Sequence, residues 1–124
     1  MARVVVQRNL LGNLDQREIG YRIAKFCGGR KMKVLQRSER DIHAKQGSQL
    51  VFRLLGTLFS KDEWMPKAAH IYWNPSQGGF VVNVSFEASF GMGYLDPYTS
   101  RRYQQVFEQL AQELQYALDA QPVG

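Results

Sequence analysis

The sequence has one cysteine, Cys27. No intrachain disulfide can form, which excludes the small secreted scaffolds stapled by several bridges and favours a reducing compartment. No stretch approaches the roughly 18 consecutive apolar residues of a membrane helix. Near the start, Val4, Val5 and Val6 are interrupted at once by Gln7 and Arg8, too few for a signal-peptide core. These absences lead us to expect a cytoplasmic protein with no membrane span. Histidine is also scarce, His43 and His70 being the only two. Neither stands at metal-ligand spacing from a cysteine, a second histidine or a carboxylate, the nearest acid being Asp41, two residues before His43. No metal and no cofactor is expected on that basis.

What is present is the makeup of one folded domain. The chain has 124 residues, 44% of them hydrophobic and 12% aromatic, and a domain of this length buries roughly two-thirds of its unfolded surface. We find no linker, internal repeat or low-complexity tract, so residues 1–124 are expected to form a single α+β domain. The formal net charge is +5, but it is unevenly spread. Met1 to Lys67 holds 14 of the 16 Lys/Arg and 6 of the 11 Asp/Glu, a local balance of +8, and Ala68 to Gly124 carries the complementary −3. A locally basic surface is the expected result.

Periodicity gives the elements. Arg3 to Arg8 reads as a valine-rich strand followed by a Gly12-Asn13 turn. Asn13 is the expected N-cap of a helix reaching Cys27, with Gln16 in capping-box position, Ile19, Ile23, Phe26 and Cys27 at helical spacing and Gly28 as the C-cap glycine. Its small residues Gly20, Ala24 and Cys27 form a stripe suited to lying close on a sheet. Lys31 to Arg37 alternates, with Met32 and Val34 on one face and Lys31, Lys33, Leu35 and Arg37 on the other. Ile42 to Lys45 is a short strand, and Gln49 to Phe59 a long one that is apolar on both faces. Ala68 to Trp73 and Phe80 to Phe90 form a hairpin whose second strand buries Phe80, Val82, Val84, Phe86, Ala88 and Phe90. After Gly91-Met92-Gly93, which read as a turn, Asp96 and Pro97 cap a final amphipathic helix reaching Ala120, with Tyr103, Phe107, Leu110 and Leu114 on its apolar stripe.

The order is thus strand, helix, an antiparallel meander of four to five strands and a long C-terminal helix. It resembles the element order of the TATA-binding-protein-like fold and of small helix-grip folds of the START and Bet v 1 type. That resemblance implies a concave sheet gripped by the last helix.

These elements offer three candidate sites. The first is a partner surface. Lys31, Lys33, Leu35, Arg37, Val51, Arg53 and Leu55, with Ile71 or Trp73, would share a sheet face that mixes cations with exposed apolar groups, suited to a protein partner or a second copy of the chain. Together with Arg30, Arg40 and Lys45, the same cations suit nucleic acid as an alternative, although no RNP, KH or helix-turn-helix signature accompanies them. A second candidate is an apolar pocket under the C-terminal helix, lined by Phe80, Phe86, Phe90, Phe107 and Leu110, where helix-grip proteins hold hydrophobic ligands. The third is aromatic: Tyr72 and Trp73 face opposite sides of their strand, and Trp64 sits in a connection. Catalytic roles have no evident holders. Cys27 lies on an apolar helix side as an inert thiol, and glycine-rich phosphate-binding spacings are missing. The sequence therefore points to a non-catalytic binding or protein-interaction module that self-associates.

Overall fold

The computed structural model describes residues 4–47, 61, 65–76, 79–88 and 97–122. Its elements are β1 (Val5–Gly12), α1 (Gln16–Gly29), β2 (Lys33–Ser38), β3 (Asp41–Gln46), β4 (Lys67–Ser76), β5 (Gly79–Ala88), α2 (Pro97–Ala117) and β6 (Gln121–Pro122). The strands form one antiparallel sheet in the order β2-β3-β4-β5-β1-β6. β2 to β5 are a meander, and β1 joins it beside β5. Because β1 and β2 lie at opposite sides of the meander, the chain must cross the sheet between them, and α1 makes that crossing. The α+β class and the expected element order hold.

Both helices cover the same sheet face. Val6 and Leu10 of β1, Ile42 and Ala44 of β3, Ala69, Ile71 and Trp73 of β4, and Val82, Val84, Phe86 and Ala88 of β5 point into the layer between sheet and helices. Ile19, Ile23, Phe26 and Cys27 of α1 meet them with Tyr103, Phe107, Leu110 and Leu114 of α2. The alternation in Phe80 to Ala88 thus falls as the sequence predicts, with Phe80 half-buried at the end of the row. Tyr103 also anchors α2 to the chain entering β4, its hydroxyl donating to the Pro66 carbonyl at 2.7 Å.

The ends of α1 differ from expectation. Asp15, not Asn13, is the N-cap, its side chain accepting from the Glu18 amide at 2.9 Å. Both residues have an acid or amide three positions on, and the helix takes the later start. Gly28 lies inside the helix, and Arg30 is the C-cap. Lys31 comes next with φ 60°. Its amide donates to the Gly28 carbonyl at 3.1 Å and that of Met32 to Cys27 at 2.9 Å, the paired bonds of a Schellman motif with buried Met32 as its hydrophobic contact.

β2 holds a second departure. Its register with β3 shifts between Val34 and Gln36, so one extra residue sits in the strand and the parity of the residues beyond it reverses. Arg37 therefore pairs with Ile42 and turns to the helix side with Val34, rather than sharing a face with Lys33. α2 ends at Ala117, short of Ala120. The expected strand Gln49 to Phe59, with Val51, Arg53 and Leu55, lies outside the described residues, as do Trp64, Phe90, Gly91-Met92-Gly93 and Asp96. No helix among the described residues is long and apolar enough to cross a membrane.

Candidate functional site on the helix-free face of the sheet

With the helices on one side, strand alternation delivers every second residue of β1 to β5 to the other. The registers arrange these residues in rows. His43, His70, Ser85 and Gln7 form one row, and Ser38, Asp41, Tyr72, Asn83 and Asn9 the next. Toward one end of the sheet lies a third row of Lys33, Lys45, Ala68, Glu87 and Val5. Apart from the histidines, Asp41 is the one acidic or basic residue in the two central rows.

At the middle of this face His43 and His70 stand side by side, ring centroids 3.9 Å apart and planes 27° from parallel. Asp41 joins them. His70 Nε2 lies at hydrogen-bonding distance, 2.8 Å, from Asp41 Oδ1, and His43 Nε2 lies 3.9 Å from the same oxygen. Tyr72 completes the group, its ring centroid 5.3 Å from that of His70. The sequence spacing of these residues hid the cluster. Asp41 and His43 share a face because they are two apart on one strand, and His70 is brought in by pairing opposite His43. The available signal was the alternation around them: Ile42 and Ala44 on β3, and Ala69 and Ile71 on β4, are core residues, which sends the intervening histidines outward together.

The predicted partner surface is partly dismantled. Trp73 and Ile71 are fully buried on the helix side, so neither belongs to an exposed patch; their parity on β4 is that of Ala69. Leu35 at the bulge is exposed, 55%, and Lys33 is on the helix-free face opposite Lys45. Arg37 runs on the helix side near Gly20, and Lys31 sits in the turn that ends α1. Arg30 turns to α2, its Nε 3.1 Å from Glu113 Oε1 and its guanidinium 4.5 Å over the Phe26 ring. These cations therefore do not converge on one sheet face. Lys33 and Lys45 alone of the described set sit together on the helix-free side.

Of the residues expected to line a pocket under α2, Phe86 and Phe107 take up space in the core themselves, and Phe90 lies outside the described residues. Phe86 and Phe107 are fully buried and pack on each other, centroids 6.1 Å apart, with Tyr103 against Phe107 at 5.5 Å. The aromatics are large enough to occupy the layer themselves at normal interior density. Leu110 instead borders an open groove of about 370 Å³ between the end of α1 and the middle of α2, where Arg30, Lys31 and Glu113 give it a polar wall. Cys27 is buried and free, and burial pushes its thiol up to about 11, which removes the thiolate that nucleophilic chemistry requires. No protein-family model and no curated protein matches this sequence.

Proposed function

We propose that the chain is a non-catalytic protein-interaction module that self-associates through the helix-free face of its sheet. The observation that supports this is how chemistry is distributed over that face. A face serving solubility alone would be dominated by Lys and Glu. Here the two central rows hold Asn9, Asn83, Ser85, Gln7, His43, His70 and an exposed Tyr72, with Asp41 as their one acidic residue, and Lys33, Lys45 and Glu87 are displaced to the end row. Depletion of charge at the centre, an aromatic anchor and a charged rim are the compositional marks of an interface. A second copy is the favoured partner because the face carries both signs, the Lys33 and Lys45 corner and the carboxylates of Asp41 and Glu87, so that two copies of it can set opposite charges against each other in an isologous contact.

Light scattering coupled to size exclusion tests this over a wide concentration range. We expect a dimer that Tyr72→Asp converts to a monomer without changing the circular dichroism spectrum. A strict monomer at high concentration, or a dimer indifferent to Tyr72→Asp and Asn83→Arg, would overturn it. A monomer that instead binds single-stranded oligonucleotides with steep salt dependence would replace the reading with nucleic-acid binding.

A further inference from the structure

The Asp41, His43 and His70 cluster has the composition of a metal site, and its geometry goes beyond the interaction reading. We propose that these three side chains bind a divalent transition-metal ion of the Zn2+ or Co2+ kind on the helix-free face. The ligand-capable atoms of all three lie within 4.8 Å of one another. Ligands about 2.1 Å from one tetrahedral ion stand roughly 3.4 Å apart, and the separations of 2.8 Å and 3.9 Å from Asp41 Oδ1 to the two imidazole nitrogens bracket that figure. The two imidazoles, stacked 27° from parallel, must rotate apart for their in-plane lone pairs to converge on one ion, a movement for which their 41% to 42% exposure leaves room.

The backbone beneath the cluster is fixed. Ile42 pairs with Ile71 and Ala44 with Ala69 on the buried side, and a slip of β3 against β4 would carry these apolar groups into water. The register that sets His43 against His70 is therefore held by the core, which supplies the support a ligand set needs.

Ligand type selects the ion. Two imidazoles and one carboxylate suit Zn2+, Co2+, Ni2+ and Fe2+, whereas Ca2+ and Mg2+ call for sets built of oxygen. All three side chains approach the ion from the sheet, and they are 32% to 42% exposed. The ion would thus keep positions open toward solvent, for water or for a donor brought by whatever molecule meets this face. Binding of the ion does not depend on that molecule.

Isothermal titration of untagged, chelator-treated protein with Zn2+, at a concentration where the chain is monomeric, reads the site directly. One equivalent is expected, and His43→Ala, His70→Ala and Asp41→Asn should each weaken binding at least about tenfold, since even outer-shell partners are worth tenfold to a hundredfold. Lys25→Gln and Cys27→Ala should leave the affinity unchanged. In the wild-type protein, Co2+ should shift the ring protons of His43 and His70 ahead of all other signals, a readout that requires no variant to fold. No binding of Zn2+ up to millimolar concentration, wild-type affinity in the His43→Ala/His70→Ala double variant, or Co2+ effects centred elsewhere would overturn the proposal. Both measurements are made on the monomer, where ion binding does not require dimerisation, so the two readings fail separately.

Discussion

The Met32 amide reaches back over the end of α1 to the Cys27 carbonyl at 2.9 Å, closing the chain around Lys31. Lys31 occupies the left-handed position of that turn, φ 60°, where a side chain costs about 1 kcal/mol and glycine is the usual occupant. Lys31→Gly should relieve the strain while keeping both backbone bonds. After the added freedom of the unfolded chain is offset, we expect a gain of roughly 0.5 kcal/mol in urea denaturation. A loss of stability would mean that the lysine side chain outweighs the strain of its backbone.

Gly20 lies against Trp73 in the α1–β4 contact. A Cβ on Gly20 would meet Trp73 Cζ2 and Arg37 Nη2 at 3.6 Å each, ordinary van der Waals distances. The stripe Gly20, Ala24 and Cys27 is therefore not forced to be so small at its first member. Gly20→Ala should raise stability by about 0.5–1 kcal/mol through helix propensity. A rise in the thermal midpoint with an unchanged near-ultraviolet spectrum of Trp73 is the expected result, and destabilisation would show that the helix sits closer to the indole than the distance implies.

How far the fold could be read from sequence depended on the range of the signal. The alternation of Val82, Val84, Phe86 and Ala88 and the apolar stripe Tyr103, Phe107, Leu110 and Leu114 are local, and both sort buried from exposed residues as the structure does. Helix ends were less legible because Asn13 and Asp15 offer rival caps of similar chemistry. The bulge after Val34 carried no local mark, and its reversal of parity moved Arg37 to the opposite side of the sheet. The histidine cluster was the least legible feature. Asp41 and His70 are 29 positions apart, and no spacing rule encodes which strands pair or in what register.

A sharper steric constraint lies at Gly47, just past β3, with φ 96°. A Cβ there would fall 2.4 Å from the Met65 carbonyl oxygen and 2.7 Å from the Pro66 nitrogen, both backbone atoms that cannot rotate away. Gly47→Ala combines that clash with an unfavourable φ, and a loss of at least roughly 2 kcal/mol is expected. Its position near the end of β3 gives a second readout: hydrogen exchange should accelerate first at the β3 and β4 amides. Wild-type stability in this variant would mean that the β3 exit is free to adopt another path.

The buried thiol of Cys27 makes a prediction about alkaline stability. Desolvation raises its pKa from 9.0 to about 11, so in alkali the unfolded chain gives up the thiol proton before the folded chain does. Fewer protons on the unfolded state mean that stability falls as pH rises. The full contribution is present below pH 9 and is lost between about pH 9 and 11, amounting to roughly 2–3 kcal/mol at most. Burial raises the Tyr103 phenol in the same sense, against a smaller opposing effect of the Arg102 charge, so a further decline at higher pH is expected in any variant that keeps Tyr103. Cys27→Ala separates the two. Below pH 8 the variant should be less stable than wild type by a constant amount, about 1 kcal/mol for the lost sulfur contacts. Between pH 9 and 11 the wild-type curve should fall toward that of the variant and cross it, because the variant has no thiol to ionise. Denaturation curves measured at each pH that remain parallel across this window would show that the thiol is not held neutral by the core.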